Sequence, residues 1–278
     1  MVPHEAADAA QTATAAIEQL DAIVTSGSAV LPAVDMAKAM AVAVDGIARA
    51  YQGGGKLVGI PTGLRDVDPK TGGLSRGDLV VLAGRPGMGK SAALLTILRQ
   101  AAKKNYRSLI ASLEMSADAL GQRMISDALF DMPGENVPYA SLRTGNFHER
   151  LFQSICDAAE MNSTLPIRIE EQPGLTISQI ATRARRLKRK GGLDILAIDH
   201  LDLVKPSGRY TGNKVYELGE ITAACKALAK ELDIVVILLC QLSRDVEKRE
   251  DKRPMLSDLR SSGSIEQDAD TVIFLYRP

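Results

Sequence analysis

From residue 56 onward, short runs that are apolar throughout alternate with longer stretches that place an apolar residue every three or four positions. The runs Leu79–Ala83, Leu109–Leu113, Ile195–Ile198, Ile234–Leu239 and Val272–Leu275 read as strands. Strands without polar alternation are buried on both faces, the pattern of a mostly parallel sheet covered by helices on each side. The stretches between them, roughly 90–103, 117–130, 177–190 and 214–232, have helical spacing and supply that cover. In the last, Val215, Leu218, Ile221, Cys225, Leu228 and Leu232 form one apolar face. This order of elements predicts an α/β fold with a mostly parallel central sheet flanked by helices. The segment Lys205–Asn213, with Pro, Gly, Ser and Thr, reads as a mobile loop. There is no internal repeat.

Residues 1–55 follow a different pattern. Alanine fills 16 of the first 50 positions and no aromatic residue precedes Tyr51. That favours helix but offers little bulk for a core. From Pro32, the larger side chains Met36, Met40, Val44, Ile47 and Tyr51 recur at helical spacing, up to Gly53-Gly54-Gly55. Proline at the start and glycine past the end fit a single helix with one apolar stripe. A stripe on a tethered helix needs a partner, and a neighbouring subunit would serve. The chain thus divides into an Ala-rich helical part with a linker helix, 1–55, and an α/β domain, 56–278.

Composition narrows the function classes. Of 278 residues, 45% are hydrophobic and 24% charged, ordinary for a globular protein. No run approaches the roughly 18 apolar residues of a membrane span, and no basic-then-apolar leader opens the chain, so a cytoplasmic address is expected. Cys156, Cys225 and Cys240 are dispersed, an odd set that fits reduced thiols rather than disulfides or a zinc site. Lys plus Arg and Asp plus Glu both total 34. Nucleic acid would therefore have to be held by a local groove or loop, not by the overall field.

The strongest chemical signal is Gly84-Arg85-Pro86-Gly87-Met88-Gly89-Lys90-Ser91, a complete G-x-x-x-x-G-K-[ST] between a predicted strand and a predicted helix. Glycines let backbone N–H groups curl around phosphates, and the helix N-terminus favours their charge. Lys90 would reach the β- and γ-phosphates of ATP, and the Ser91 hydroxyl would ligate Mg2+. Asp199 ends the run Ile195–Ile198, where a carboxylate can hold the magnesium shell. Glu114 ends Leu109–Leu113, and Gln241 ends Ile234–Cys240. Strand-end positions face the ligand in open α/β sheets, so Glu114 could activate water and Gln241 could sense the γ-phosphate. By position alone, both also fit solvated strand-end groups. The basic stretch Arg183, Arg185, Arg186, Lys188, Arg189 and Lys190 fits a solvated outer helix better than a DNA-binding face. His4, His148 and His200 have no metal-ligand spacing, and His200 is assigned no role.

Taken together, several stretches resemble the C-terminal RecA-like domain of DnaB-type replicative DNA helicases. They are Pro61-Thr-Gly-Leu-Arg-Asp-Val-Asp68, the P-loop, Ser112-Leu-Glu114-Met-Ser116, Leu142-Arg-Thr-Gly145, Asp199-His-Leu-Asp-Leu203 and Gln241-Leu-Ser-Arg244. The most specific is Asp251-Lys-Arg-Pro-Met-Leu-Ser-Asp-Leu-Arg-Ser-Ser-Gly263-Ser-Ile-Glu-Gln-Asp-Ala-Asp270. The resemblance implies a RecA-like P-loop NTPase, active as a hexameric ring that hydrolyses ATP between subunits and draws single-stranded DNA through its centre, 5′ to 3′. It implies Glu114 as catalytic base, Gln241 as γ-phosphate sensor, and Arg260, Ser261, Ser262 and Gly263 as the loop that grips the DNA backbone. Primase and a helicase loader are the further partners it brings.

Three departures stand out. His200 and Asp202 replace the family's usual Tyr and Gln, and Ser261 its common Glu. The chain stops at Tyr276-Arg277-Pro278, before the final hairpin that carries the family's arginine finger. ATP binding with slow hydrolysis is expected on that ground. The other functions compatible with the sequence are a RecA-like DNA-dependent ATPase that does not unwind, and a shortened helicase that binds or inhibits a full-length ring.

Overall fold

The computed structural model describes residues 33–52, 57–206, 212–259 and 262–277. The chain divides into two compact units, Met1–Ala48 and Arg49–Pro278. Helix α1, Met36–Gln52, carries the stripe expected from the sequence, and Met36, Met40, Val44, Ile47 and Tyr51 are all exposed on it.

The second unit is built on six strands: β1 (Leu79–Gly84), β2 (Ser108–Ser112), β3 (Ile167–Glu170), β4 (Ile195–Asp199), β5 (Val235–Gln241) and β6 (Thr271–Leu275). They form one sheet in the order β3-β2-β4-β5-β1-β6, and every pairing is parallel. Every residue of β1, β2 and β4 is buried, which explains why their sequences are apolar apart from Ser108, Ser112 and Asp199 at strand ends.

Successive side chains of β1 enter opposite cores. Leu79, Val81 and Ala83 pack with Ile177, Ile180 and Ala184 of α7 (Ile177–Gly191) and with Leu218, Ile221 and Cys225 of α8 (Lys214–Leu232). Val80 and Leu82 pack with Leu94 and Leu98 of α3 (Lys90–Ala102) and with Leu120 and Met124 of α4 (Ala117–Phe130). Thr176 caps α7 by accepting from Gln179 N–H, and the Gln179 side chain returns to the Thr176 N–H, which fixes where that helix starts.

A short helix, α2 (Asp68–Thr71), precedes the sheet. The Asp68 carboxylate is buried and accepts from Thr62 N–H at 2.9 Å, Thr62 Oγ1–H at 2.6 Å and Gly63 N–H at 3.0 Å. Part of the Pro61–Asp68 motif is thus a turn that satisfies its own polar groups. Between α3 and α4, Arg99 is 2% exposed and donates to Asp127 Oδ2, to Asp127 O at 3.0 Å and to Asp131 Oδ2 at 2.7 Å.

The structure departs from the sequence expectation in identifiable places. β3 is absent from the predicted strands, because Ile-Arg-Ile-Glu alternates and runs for four residues only, as an edge strand does. Helices α5 (Tyr139–Thr144) and α6 (Phe152–Ser163) are absent from the predicted helices as well. Ala158 of α6 joins Val137 and, from α4, Ala128 and Leu129 in a small separate core rather than a face of the sheet. β2 stops at Ser112 instead of Leu113, whereas β4 runs one residue further, to Asp199, and β5 two, to Gln241. Helix α9 (Ser262–Asp268) follows the segment after β5. Within Lys205–Asn213, residues 207–211 lie outside the described residues.

Candidate nucleotide site

From β1 the chain continues through α3 to β2, which lies beyond β5 and β4. That jump in strand order leaves a crevice at the carboxyl ends of the strands. The register aligns what faces it. Gly84 at the end of β1 is the partner of Gln241 at the end of β5, and Ser112 at the end of β2 is the partner of Asp199 at the end of β4.

The loop after β1 turns on Gly87 at φ 79° and Gly89 at φ 88°. Those left-handed values suit glycine and strain other residues, which explains two of the motif's fixed positions. Helix α3 then starts at Lys90 without any side-chain cap, so its first N–H groups face the crevice unclaimed by a capping side chain. The Lys90 ammonium donates to Gly84 O at 2.9 Å and to Arg85 O at 3.3 Å, which folds it back over the loop.

A cleft of about 430 Å³ lies here. Pro86, Gly87, Gly89, Lys90 and Ser91 line it from the P-loop, and Glu114, Asp199 and Gln241 line it from the other strand ends. Gly84, Arg85 and Met88 do not line it. Arg85 turns away, with Nε donating to Glu247 Oε1 at 2.7 Å and Nη1 to Leu242 O at 3.0 Å. Glu114 stands two residues beyond β2, after Leu113, whose N–H donates to Asp199 O at 2.9 Å. Its side chain is 62% exposed, open to solvent and to whatever enters the cleft.

The electrostatics follow from burial. Asp199 is 2% exposed, and burial raises its pKa above the usual carboxylate value. A hydrogen bond from Ser91 and the charges of His200 and Lys90 oppose the shift, while Glu114 adds to it. Asp199 Oδ2 is buried without a hydrogen-bond partner among the described residues. A buried carboxylate oxygen left unpaired beside a serine hydroxyl fits a cation-binding position. Burial lowers the Lys90 pKa, Arg85 adds to that, and Asp199 and Glu114 oppose it.

Residues 59–278 match the family described as the DnaB-like helicase C terminal domain. The chain belongs to this family. It is 44% identical over 234 residues to the replicative DNA helicase DnaC of Bacillus subtilis (strain 168), a match covering 84% of this chain and 50% of that protein. It is 47% identical over 242 residues to the replicative DNA helicase DnaB of Rickettsia bellii (strain RML369-C), covering 83% and 47%. The chain thus spans about half the length of the curated relatives it matches. Among solved structures, one described as an ATPase domain superposes with a TM-score of 0.81 at 33% identity, covering 88% of this chain and 84% of that one. A DnaB-like replicative helicase, described with its interactions with primase, superposes at 0.78 and 33% identity, covering 88% and 57%. The fold of this DnaB-like domain is accordingly the RecA-like arrangement expected from the motifs.

Two residues of the cleft are given no role by the sequence. His200 Nε2 lies 3.7 Å from Glu114 Oε2. Arg123 of α4 lines the same cleft, its guanidinium carbon 4.3 Å from the centre of the Tyr139 ring and its Nε buried without a hydrogen-bond partner among the described residues. His200 adjoins Asp199, so adjacency was a usable signal. Arg123 carried none, because its helix reaches the cleft only through the tertiary fold. Arg260 and Ser261 lie outside the described residues. Ser262 and Gly263 open α9, and Gly263 is exposed. Among the described residues no helix is long and apolar enough to cross a membrane.

Proposed function

We propose that this DnaB-like domain is the motor of a replicative DNA helicase. It hydrolyses Mg-ATP at the interfaces of a hexameric ring and translocates 5′ to 3′ along single-stranded DNA, in the cytoplasm. The observation that carries this reading is the gathering of Lys90, Ser91, Asp199, Glu114 and Gln241 around one cleft at the carboxyl ends of a parallel sheet.

In this reading the backbone of Gly84–Ser91 cradles the ATP phosphates and Lys90 neutralises their charge. Ser91 and Asp199 hold Mg2+, which would supply charge neutralisation at the phosphates when bound. No cluster of three or more His, Cys, Asp or Glu able to hold a metal occurs among the described residues. Magnesium is usually bound through one or two protein groups, substrate phosphates and water. Glu114 orients the attacking water and accepts its proton. Gln241 ends the strand beside the P-loop strand and contacts the γ-phosphate through its amide. Arg123, which also lines the cleft, adds positive charge to it. The Arg260–Gly263 loop approaches DNA phosphates with one cation and small residues, a chemistry that does not read bases.

Strand displacement from a forked duplex, run beside phosphate release, tests the proposal. ATP-dependent displacement that is lost in Lys90→Ala supports it. DNA-stimulated hydrolysis without displacement at any protein concentration would instead make the chain a non-unwinding ATPase. Arg260→Ala should weaken single-strand binding while leaving nucleotide affinity intact, and salt should weaken binding in the parent.

A further inference from the structure

Three residues of the basic stretch of α7, a face that remains largely open to solvent, also line one wall of a second groove. With a volume of about 770 Å³, this groove shares no lining residue with the nucleotide cleft. It runs between α7 and the neighbouring strands β3 and β2 at one end of the sheet. Five cations line it: Arg107 before β2, Arg168 on β3, and Arg183, Arg186 and Lys190 on α7. Glu170 is the one acid in the lining, and it lies 3.0 Å from Arg183. Neither a hydrogen bond nor an ion pair to another described residue engages the side chains of the other four cations. In a chain of zero net charge this is a marked local excess.

Their placement is ordered. Arg183, Arg186 and Lys190 follow one another at three- and four-residue spacing, so they share one face of α7 and span roughly 10 Å. Arg168 is the register partner of Leu109, which belongs to the α7-side core, so Arg168 points to the same side as this row. β3 is the end strand, and its outer edge has no strand partner among the described residues. An extended chain lying there would repeat its side chains on one face about every 7 Å, a spacing the row of cations can meet.

We propose that this groove binds an extended acidic peptide segment of a partner protein. The segment would add as a strand to the outer edge of β3 and set alternate carboxylates against Arg168, Arg186 and Lys190. An unpaired strand edge offers backbone hydrogen bonds that a peptide can complete and a nucleic acid cannot. No aromatic side chain lines the groove, so unpaired bases have no stacking platform. Charge complementarity and the free edge together favour the peptide.

Fluorescence anisotropy on the whole chain with a labelled ten-residue peptide alternating Asp and Val tests this. The peptide should bind at low salt and weaken as salt rises, and a version with Lys for Asp should not bind. Arg168→Glu combined with Arg186→Glu should weaken it at least tenfold, with thermal unfolding and ATP affinity unchanged, since both residues are exposed and outside the nucleotide cleft. N-methylation of alternate peptide amides should weaken binding several-fold. Equal affinity of parent and double variant overturns the proposal, and indifference to N-methylation overturns the strand-addition geometry. If a ten-nucleotide oligothymidylate displaces the peptide and itself loses affinity in the double variant, the groove belongs to nucleic acid and the proposal fails.

Discussion

His200 Nε2 stands 3.7 Å from Glu114 Oε2, while Nδ1 of the same ring stands 3.7 Å from Asp202 Oδ2. The imidazole thus lies between the carboxylate proposed as catalytic base and a second, less exposed one. Asp202 is only 19% exposed against 62% for Glu114, and Asp202 does not line the nucleotide cleft. The two acids are therefore unequal candidates for activating water.

Replacing Glu114 by Gln should lower ATP hydrolysis by about 10²-fold or more with nucleotide affinity preserved, because the amide keeps the reach and loses the base. His200→Ala should change turnover by less than about tenfold, and Asp202→Asn by no more. Steady-state phosphate release and nucleotide titration read both effects. A larger loss at Asp202 than at Glu114 would move the base to Asp202.

Lys90→Ala removes a charge-assisted contact worth roughly 1.5–3 kcal/mol, so ATP affinity should fall about tenfold or more. Lys90 also donates to Gly84 O and Arg85 O, so the loop itself should loosen slightly in the variant. Unchanged affinity for a non-hydrolysable ATP analogue would contradict the P-loop assignment.

Asp199 gives a pH dependence whose sign follows from burial. Its pKa in the folded chain is raised, so the folded protein takes up this proton at a higher pH than the unfolded chain does. The ionised group therefore costs stability above its folded pKa and costs none below the unfolded value of about 3.9. As pH falls through the raised pKa, the carboxylate neutralises and magnesium-dependent nucleotide affinity should drop. Asp199→Asn should abolish that pH step without lowering the melting temperature of the ligand-free protein. Persistence of the step in the variant would assign it to another group.

Arg99 tests what joins α3 to α4. Its side chain is 3% exposed and Asp127 is 24% exposed, so Arg99→Ala should cost roughly 3 kcal/mol, the low end for removing one partner of a buried pair. Arg99→Met should cost less, because it refills the space, though it leaves Asp127 and Asp131 without their Arg99 partner just as alanine does. Chemical denaturation with parallel slopes measures both. Equal losses would mean that the lost ion pair, not packing, dominates there.

Much of the fold was legible in order of residues alone, for one physical reason. A strand buried on both faces is apolar through its middle, and β1, β2, β4 and β5 announce themselves that way. The P-loop is equally local: two glycines at positive φ and a helix starting at Lys90 are properties of consecutive residues. Tertiary structure decided what depends on neighbours distant in sequence. β3 exists because its short alternating run finds the edge of β2, and α6 because its apolar side finds α4. Glu114 and Gln241 were ambiguous strand-end groups until the sheet order brought them to one cleft with Lys90. The same placement turned the cations of α7, outwardly a solvated helix face, toward Arg168 and Arg107. Local pattern fixes which residues are apolar and where the chain turns, but only packing determines which charges share a cavity.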